Sequence, residues 1–288
     1  MAVTLNSLGR ECLGEAVEAL RQWQRDSGSF QLHPGDVGWF WRFGADAATA
    51  AVRSWKRDER VVAVGLLDGD DLLRLAIAPG TDREEELASR LAADLTNPAR
   101  GILPEGRVAV EAPEGAVIKD VLSEAGWQVD EPWTPLQRDL TQPVEDGGVR
   151  IEVVRPDLAE ARAEVQRASF DKSRFTADSW RAMVAGPLYA DARCLLAFDR
   201  RNNAVATITV WSAGPGRPGL IEPMGTHRDH RGHGYGRAVT LAGAAALRDL
   251  GASSALVCTE GSNTAAIATY RSAGFAENPE RRDRYRQI

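Results

Sequence analysis

The stretch Arg231-Gly232-His233-Gly234-Tyr235-Gly236 follows an apolar run and opens an alanine-rich one. Glycines at three alternate positions leave backbone N–H groups uncovered, and a helix start adds unpaired donors and a partial positive charge. Together they make a cradle for a pyrophosphate from main chain alone. Arg231 puts a cation at the entry of the loop. A glycine-rich loop by itself is a weak signal, because many such loops are only tight turns. Its flanks give it weight. Gly219 to Thr226 reads as a strand, and Arg237 to Leu250 as a helix stopped by Gly251. Ser254 to Thr259 reads as the next strand, and a helix from about Asn263 to Ser272 ends at Ala273-Gly274-Phe275.

This order of strand, loop, helix, strand, Asn-containing turn and tyrosine-bearing helix resembles the GNAT superfamily of acyl-CoA-dependent N-acetyltransferases. The likeness is close from Leu220 to Phe275 and looser back to about Val149. Arg231 through Gly236 matches the family pattern R/Q-x-x-G-x-G/A; the departure is Thr226-His227-Arg228, where many members have Val-x-Pro. The resemblance implies acetyl-CoA as acyl donor. Its pyrophosphate would lie on the backbone of Arg231, Gly232, His233, Gly234, Tyr235, Gly236 and Arg237, and its pantetheine arm along Met224, Gly225, Thr226 and Asn263. An N–H near Met224 would polarise the thioester carbonyl, a contact typically worth ~3 kcal/mol in the transition state. Tyr270 falls where the family places the general acid that protonates the leaving thiolate. The implied reaction is direct attack of a primary amine in a ternary complex. A non-catalytic acyl-CoA-binding module and an acyltransferase for another acyl-CoA are the rivals.

Glu222 stands on the loop-bearing strand among apolar neighbours, which raise a carboxyl pKa toward that of a useful base. It reads as the base, as an anchor for the acceptor amine, or as a structural residue. Alternation puts Glu222, Met224 and Thr226 on one face unless Pro223 introduces a bulge. His227, His230 and His233 do not read as a metal site, since no carboxylate or cysteine completes the set. Cys258 has no histidine paired with it and reads as a small buried strand residue. The fold shapes its acceptor pocket from Phe170–Phe175 and Trp180–Asp191. Phe175, Trp180 and Tyr189 are candidates for an apolar wall there, and Asp171 or Asp191 for attraction of a cationic amine. A small amine, an antibiotic amino group, a peptide N-terminus and a lysine side chain all stay open.

Sliding the sequence by 148 residues lays Ala125-Gly126-Trp127 on Ala273-Gly274-Phe275, and Leu72–Ala78 on Leu220–Thr226. Helical stretches Glu11–Trp23 and Leu158–Phe170 correspond as well, as do the strand pair Thr49–Trp55 and Arg60–Leu67 with Arg193–Phe198 and Ala204–Ser212. The pattern points to an α/β protein of two tandem GNAT-like domains, each a mixed, mostly antiparallel sheet flanked by helices. Residues 1–140 form a degenerate copy, 141–148 a Pro/Gly-containing linker and 149–288 the catalytic copy. At the three loop glycines the first copy has Glu84, Glu86 and Ala88, which block backbone approach and repel a pyrophosphate; Leu122 replaces Tyr270 and Arg74 replaces Glu222. That copy either supports the active one or walls its acceptor pocket, and Trp39-Phe40-Trp41 reads as the core of the first copy, with contact between the two copies as the alternative.

With 288 residues, 43% of them hydrophobic, the chain can bury two cores. A net charge of −6 with no basic stripe argues against nucleic acid as a main partner. Three well-separated cysteines fit reduced thiols, and no apolar run reaches membrane-spanning length. The expectation is a cytoplasmic enzyme with no membrane contact.

Overall fold

In the computed structural model, which describes residues 3–7 and 10–287, helices and strands alternate twice along the chain. The first half runs β1 (Thr4–Ser7), α1 (Arg10–Trp23), α2 (Pro34–Phe40), α3 (Ala45–Ala51), β2 (Val52–Arg57), β3 (Arg60–Leu67), β4 (Leu72–Ile77), α4 (Glu85–Thr96), β5 (Val108–Glu111), α5 (Ile118–Glu124) and β6 (Gln128–Asp139). The second runs β7 (Arg150–Val153), α6 (Ala159–Ser169), α7 (Ala177–Val184), β8 (Ala192–Phe198), β9 (Ala204–Trp211), β10 (Gly219–Thr226), α8 (Tyr235–Asp249), β11 (Ser254–Glu260), α9 (Thr264–Ser272), β12 (Ala276–Glu277) and β13 (Arg281–Arg286). Among the described residues no helix is long and apolar enough to cross a membrane.

All strands join one mixed sheet in the order β1-β2-β3-β4-β5-β13-β6-β11-β10-β9-β8-β7, with β12 pairing β6. The order reads alike from either end. Only β4–β5 and β10–β11 are parallel. The last strand of each half crosses to the other: β6 pairs with β11 over seven residues, Ser254↔Asp139 to Glu260↔Trp133, and β13 pairs with β5. The edge strands β1 and β7, four residues each, escape the sequence reading because so short a run carries no periodicity. Thr49–Ala51, expected to begin a strand, instead ends α3, since Ala45-Asp-Ala-Ala-Thr-Ala-Ala has strong helix propensity; the strand starts at Val52.

Buried side chains form one cluster within each half and one shared by both. In the second half α8 lays Val239, Leu241 and Leu247 on the sheet, each worth about 1.5–3 kcal/mol when fully buried. The shared cluster joins Leu20, Leu32 and Val37 to Phe175, Trp180 and Trp211. Trp39, Phe40 and Trp41 pack against it, so the aromatic run expected in the core of the first copy lies at the junction instead. Trp39 stacks on Phe175 at 5.4 Å. A flat indole face satisfies a partner from either half equally, so the local pattern did not settle the choice. The 141–148 connector is tied down by Glu145, which bridges Arg138 (2.7 Å) and Arg237 (3.3 Å).

Candidate active site

The parallel ladder between β10 and β11 lasts only from Gly219↔Ala255 to Leu220↔Leu256, after which the strands diverge. On the other side, β10 slips against β9 between Ile221↔Val210 and Met224↔Ile208, so Glu222 and Pro223 form a bulge. The bulge does not invert the faces beyond it. Glu222, Met224 and Thr226 are partly exposed while Pro223 and Gly225 are buried. Gly225 lies against the end of α6, where a Cβ would come within 2.6 Å of Ser169 Cβ.

From the end of β10 the chain makes a 3-10 turn, Arg228–His230, then the glycine loop, then α8. Gly232 and Gly234 have φ of +78° and +82°, a left-handed backbone that favours glycine. Gly236 sits in the first turn of α8, where a Cβ would press on Thr226 Oγ1 at 3.1 Å and Thr269 Cγ2 at 3.2 Å. The first N–H bonded within the helix is that of Ala238, to Gly234 O. Among the described residues, the N–H groups of Arg231 to Arg237 have no acceptor in the protein. Seven adjacent donors on a loop and a helix N-terminus form a site for an anion.

Arg231, expected to supply charge at the loop's entry, braces this loop instead, as does Arg237. Arg231 donates to Ser169 O at 2.8 Å, capping the C-terminus of α6, and Arg237 donates to Ser272 O at 2.8 Å, capping α9. His233 Nδ1 lies 2.8 Å from Arg231 O, and its ring stacks with Tyr235. His227 caps the 3-10 turn through Nδ1, which accepts from Asp229 N, and meets His230 edge to face. Asn263 is the N-cap of α9, its Oδ1 accepting from Ala266 N at 3.1 Å.

Tyr270 is placed by the end of its helix. Gly274, at φ +80°, closes α9 in a Schellman motif: Phe275 N donates to Tyr270 O and Gly274 N to Arg271 O. The Phe275 ring packs on the Tyr270 ring at 5.8 Å, the apolar contact that accompanies this motif. Burial, then the charges of Glu222 and Cys258, hold the Tyr270 phenol well above its ordinary pKa, so it carries its proton at neutral pH. Burial likewise pushes the Cys258 thiol up to about 12, which leaves it a poor nucleophile.

Glu222 is raised to about 7, chiefly by burial; Arg74 and Arg42 pull it down, while Asp36 and Asp68 push it up. Four of these influences come from the first half, which sequence reasoning did not anticipate. Arg74 bridges Asp36 (2.8 Å) and Glu111 (3.0 Å) in a buried network, and Arg281 from β13 closes on Glu111 at 2.5 Å. Arg74 had been marked only as the counterpart of Glu222. The aromatics expected to wall the acceptor pocket serve the junction: Phe175 and Trp180 are buried, and Tyr189 meets Trp211 edge to face. Asp191 is paired with Arg21 of α1 at 2.6 Å, and Asp171 is exposed beside Arg228.

In the first half the equivalent loop carries carboxylates where the second has glycines, and part of it is used within the fold: Glu84 N donates to Thr81 O, and the Glu84 carboxylate pairs with Arg57 at 2.7 Å. Leu122 is fully buried where the second half has Tyr270, and α5 ends in the same Schellman motif, with Trp127 N bonded to Leu122 O.

The site is thus a parallel strand pair that splays beside a bulge, with unpaired loop amides at the start of the following helix. Residues 156–275 match the acetyltransferase (GNAT) family model. Over 199 residues the chain is 31% identical to a mycothiol acetyltransferase of Cellulomonas flavigena, covering 62% of this chain and 53% of that protein. A mycothiol acetyltransferase of Salinispora arenicola is 32% identical over 153 residues, 49% of each chain. The chain therefore spans about half the length of the curated relatives it matches. Its fold is that of a GCN5-related N-acetyltransferase from Sphaerobacter thermophilus, with a TM-score of 0.61 and 18% identity over 99% of this chain and 95% of that one. A tandem GNAT protein from the clavulanic acid biosynthesis pathway is similar too, with a TM-score of 0.60 and 17% identity over 99% and 98% of the two chains.

Proposed function

We propose that the second half transfers the acetyl group of acetyl-CoA to a primary amine by direct attack in a ternary complex. The row of unpaired N–H groups from Arg231 to Arg237 carries this reading, because it matches a diphosphate and has no use inside the fold. With the diphosphate there, the pantetheine arm runs into the split between β10 and β11, alongside Met224 to Thr226. Glu222 takes the proton from the amine, and Tyr270 gives one to the departing thiolate. A carboxyl at about 7 and a phenol that keeps its proton suit those opposite tasks. The relatives named mycothiol acetyltransferase support a small-molecule acceptor.

The first half is a degenerate copy joined through 141–148. Three features support this: the strand order that reads alike from both ends, the shared Schellman ends at Gly126 and Gly274, and the carboxylates in place of glycines. The test is turnover of acetyl-CoA with a panel comprising glucosamine, L-cysteine, glycylglycine, spermidine and a lysine peptide, read as thiol release. Release with at least one amine, absent without it, supports the reading. Coenzyme A binding with no release from any amine turns it toward a binding module.

A further inference from the structure

The bulge that carries Glu222 lacks its ladder bond to β9, and the lost bond is replaced by a side chain. The Trp211 indole N–H donates to Glu222 O at 2.8 Å. Trp211 closes β9 and is 1% exposed. Its ring lies directly under α2 of the other half. A Cβ on Gly35 would come within 2.4 Å of Trp211 Cβ, and one on Gly38 within 2.4 Å of Cζ3, so both positions must be glycine for the helix to seat this closely.

The seat is itself fixed at both ends. Gly35 N donates to His33 Nδ1 at 2.9 Å, so the proton of this imidazole is on Nε2, which donates to Pro218 O at 3.1 Å just before β10. Burial lowers His33 to about 3, so this neutral form persists at any working pH. His33 N donates to Asp36 Oδ2 at 2.7 Å, and Asp36 Oδ1 meets Arg74 at 2.8 Å. A rigid path thus runs from β4 through α2 to Trp211 and the bulge.

We propose that α2 of the first half, acting through Trp211, is a positioning element for the β10 bulge, and hence for Glu222 and the adjoining Met224 N–H. The proposal rests on the acetyltransferase reading of that site. It gives the first half a part in the reaction that needs no ligand of its own. The indole hydrogen bond is the transmitting contact: without it the Glu222 carbonyl in the bulge has no partner, and the carboxyl of the same residue loses its fixed place.

The test separates the bond from the packing. In the full chain Trp211 is replaced by its benzothiophene isostere, which keeps the ring and removes the N–H, and by Phe (W211F). Gly38→Ala loads the same ring from the other half. Each is assayed with acetyl-CoA and the fastest amine of the panel above. The isostere is expected to lower kcat about tenfold, the effect of one buried hydrogen bond, with KM for acetyl-CoA within twofold. W211F and G38A fall in the same direction. An isostere whose kcat stays within twofold of the parent overturns the proposal, because the packing is then sufficient. Glu222→Gln in the same assay keeps the two ideas apart: parental turnover there removes the base assignment, while a loss there beside an unaffected isostere removes only the positioning role.

Discussion

Glu222→Gln separates what the carboxyl does for catalysis from what it does to the fold. Moving a carboxyl from its ordinary 4.5 to about 7 in the fold corresponds to ~3 kcal/mol of preference for the protonated form. Because the folded pKa is the higher one, the side chain's full contribution to stability is present below pH 4.5. It is lost as the pH rises through about 7. Gln has the same shape and no charge to bury. The variant and the parent should therefore melt together at pH 4, and the variant should be the more stable by ~3 kcal/mol at pH 8. At roughly 2 °C per kcal/mol for a chain of this size, that is about 6 °C in Tm. Turnover moves the opposite way. The parent's kcat/KM should climb with one proton's slope through about pH 7, and E222Q should lose that limb and about 10²–10⁴-fold in rate. Calorimetric melts at the two pH values, with pH–rate profiles for both proteins, give the comparison. Equal melting at pH 8, or an acid limb surviving in E222Q, would refute the assignment of a poorly solvated, proton-accepting carboxyl at this position.

Tyr270→Phe removes a hydroxyl that makes no hydrogen bond among the described residues, so its Tm should stay within a degree or two. Turnover should fall about 10²-fold, with coenzyme A affinity by calorimetry unchanged. Gly234→Val forces a β-branched residue to a φ of +82° and lays a side chain over the free amides; coenzyme A binding should weaken at least tenfold while circular dichroism stays native. Removing residues 1–140 takes β6 away from β11, baring the seven-residue edge Ser254–Glu260, and takes β5 from β13. Gel filtration of that remainder should show aggregate rather than monomer.

Much of the second half could be read from local pattern. β10 has the bounds its composition suggests, and α8 and α9 end at Gly251 and Gly274 because those residues take left-handed φ where a helix must stop. Those stops are short-range chemistry written within a few residues. The junction was hidden for the opposite reason. Pairing of β6 with β11, the stack of Trp39 on Phe175 and the seat of Gly35 and Gly38 on Trp211 join residues far apart in the chain. Periodicity says that such a face is buried without saying against what. The same limit made Asp191 look like a free acid when Arg21, 170 positions earlier, holds it. Arg231 is legible as a cation near a glycine loop, but its use as a cap for α6, like that of Arg237 for α9, depends on where those helices end in space.

The most direct measurement is a crystal structure of the full chain with coenzyme A. The diphosphate should sit within hydrogen-bond distance of the amides between Gly232 and Arg237, one molecule per chain, with the thiol between β10 and β11. Coenzyme A gripped by residues 78–84 of the first half, or by both loops alike, would contradict the account.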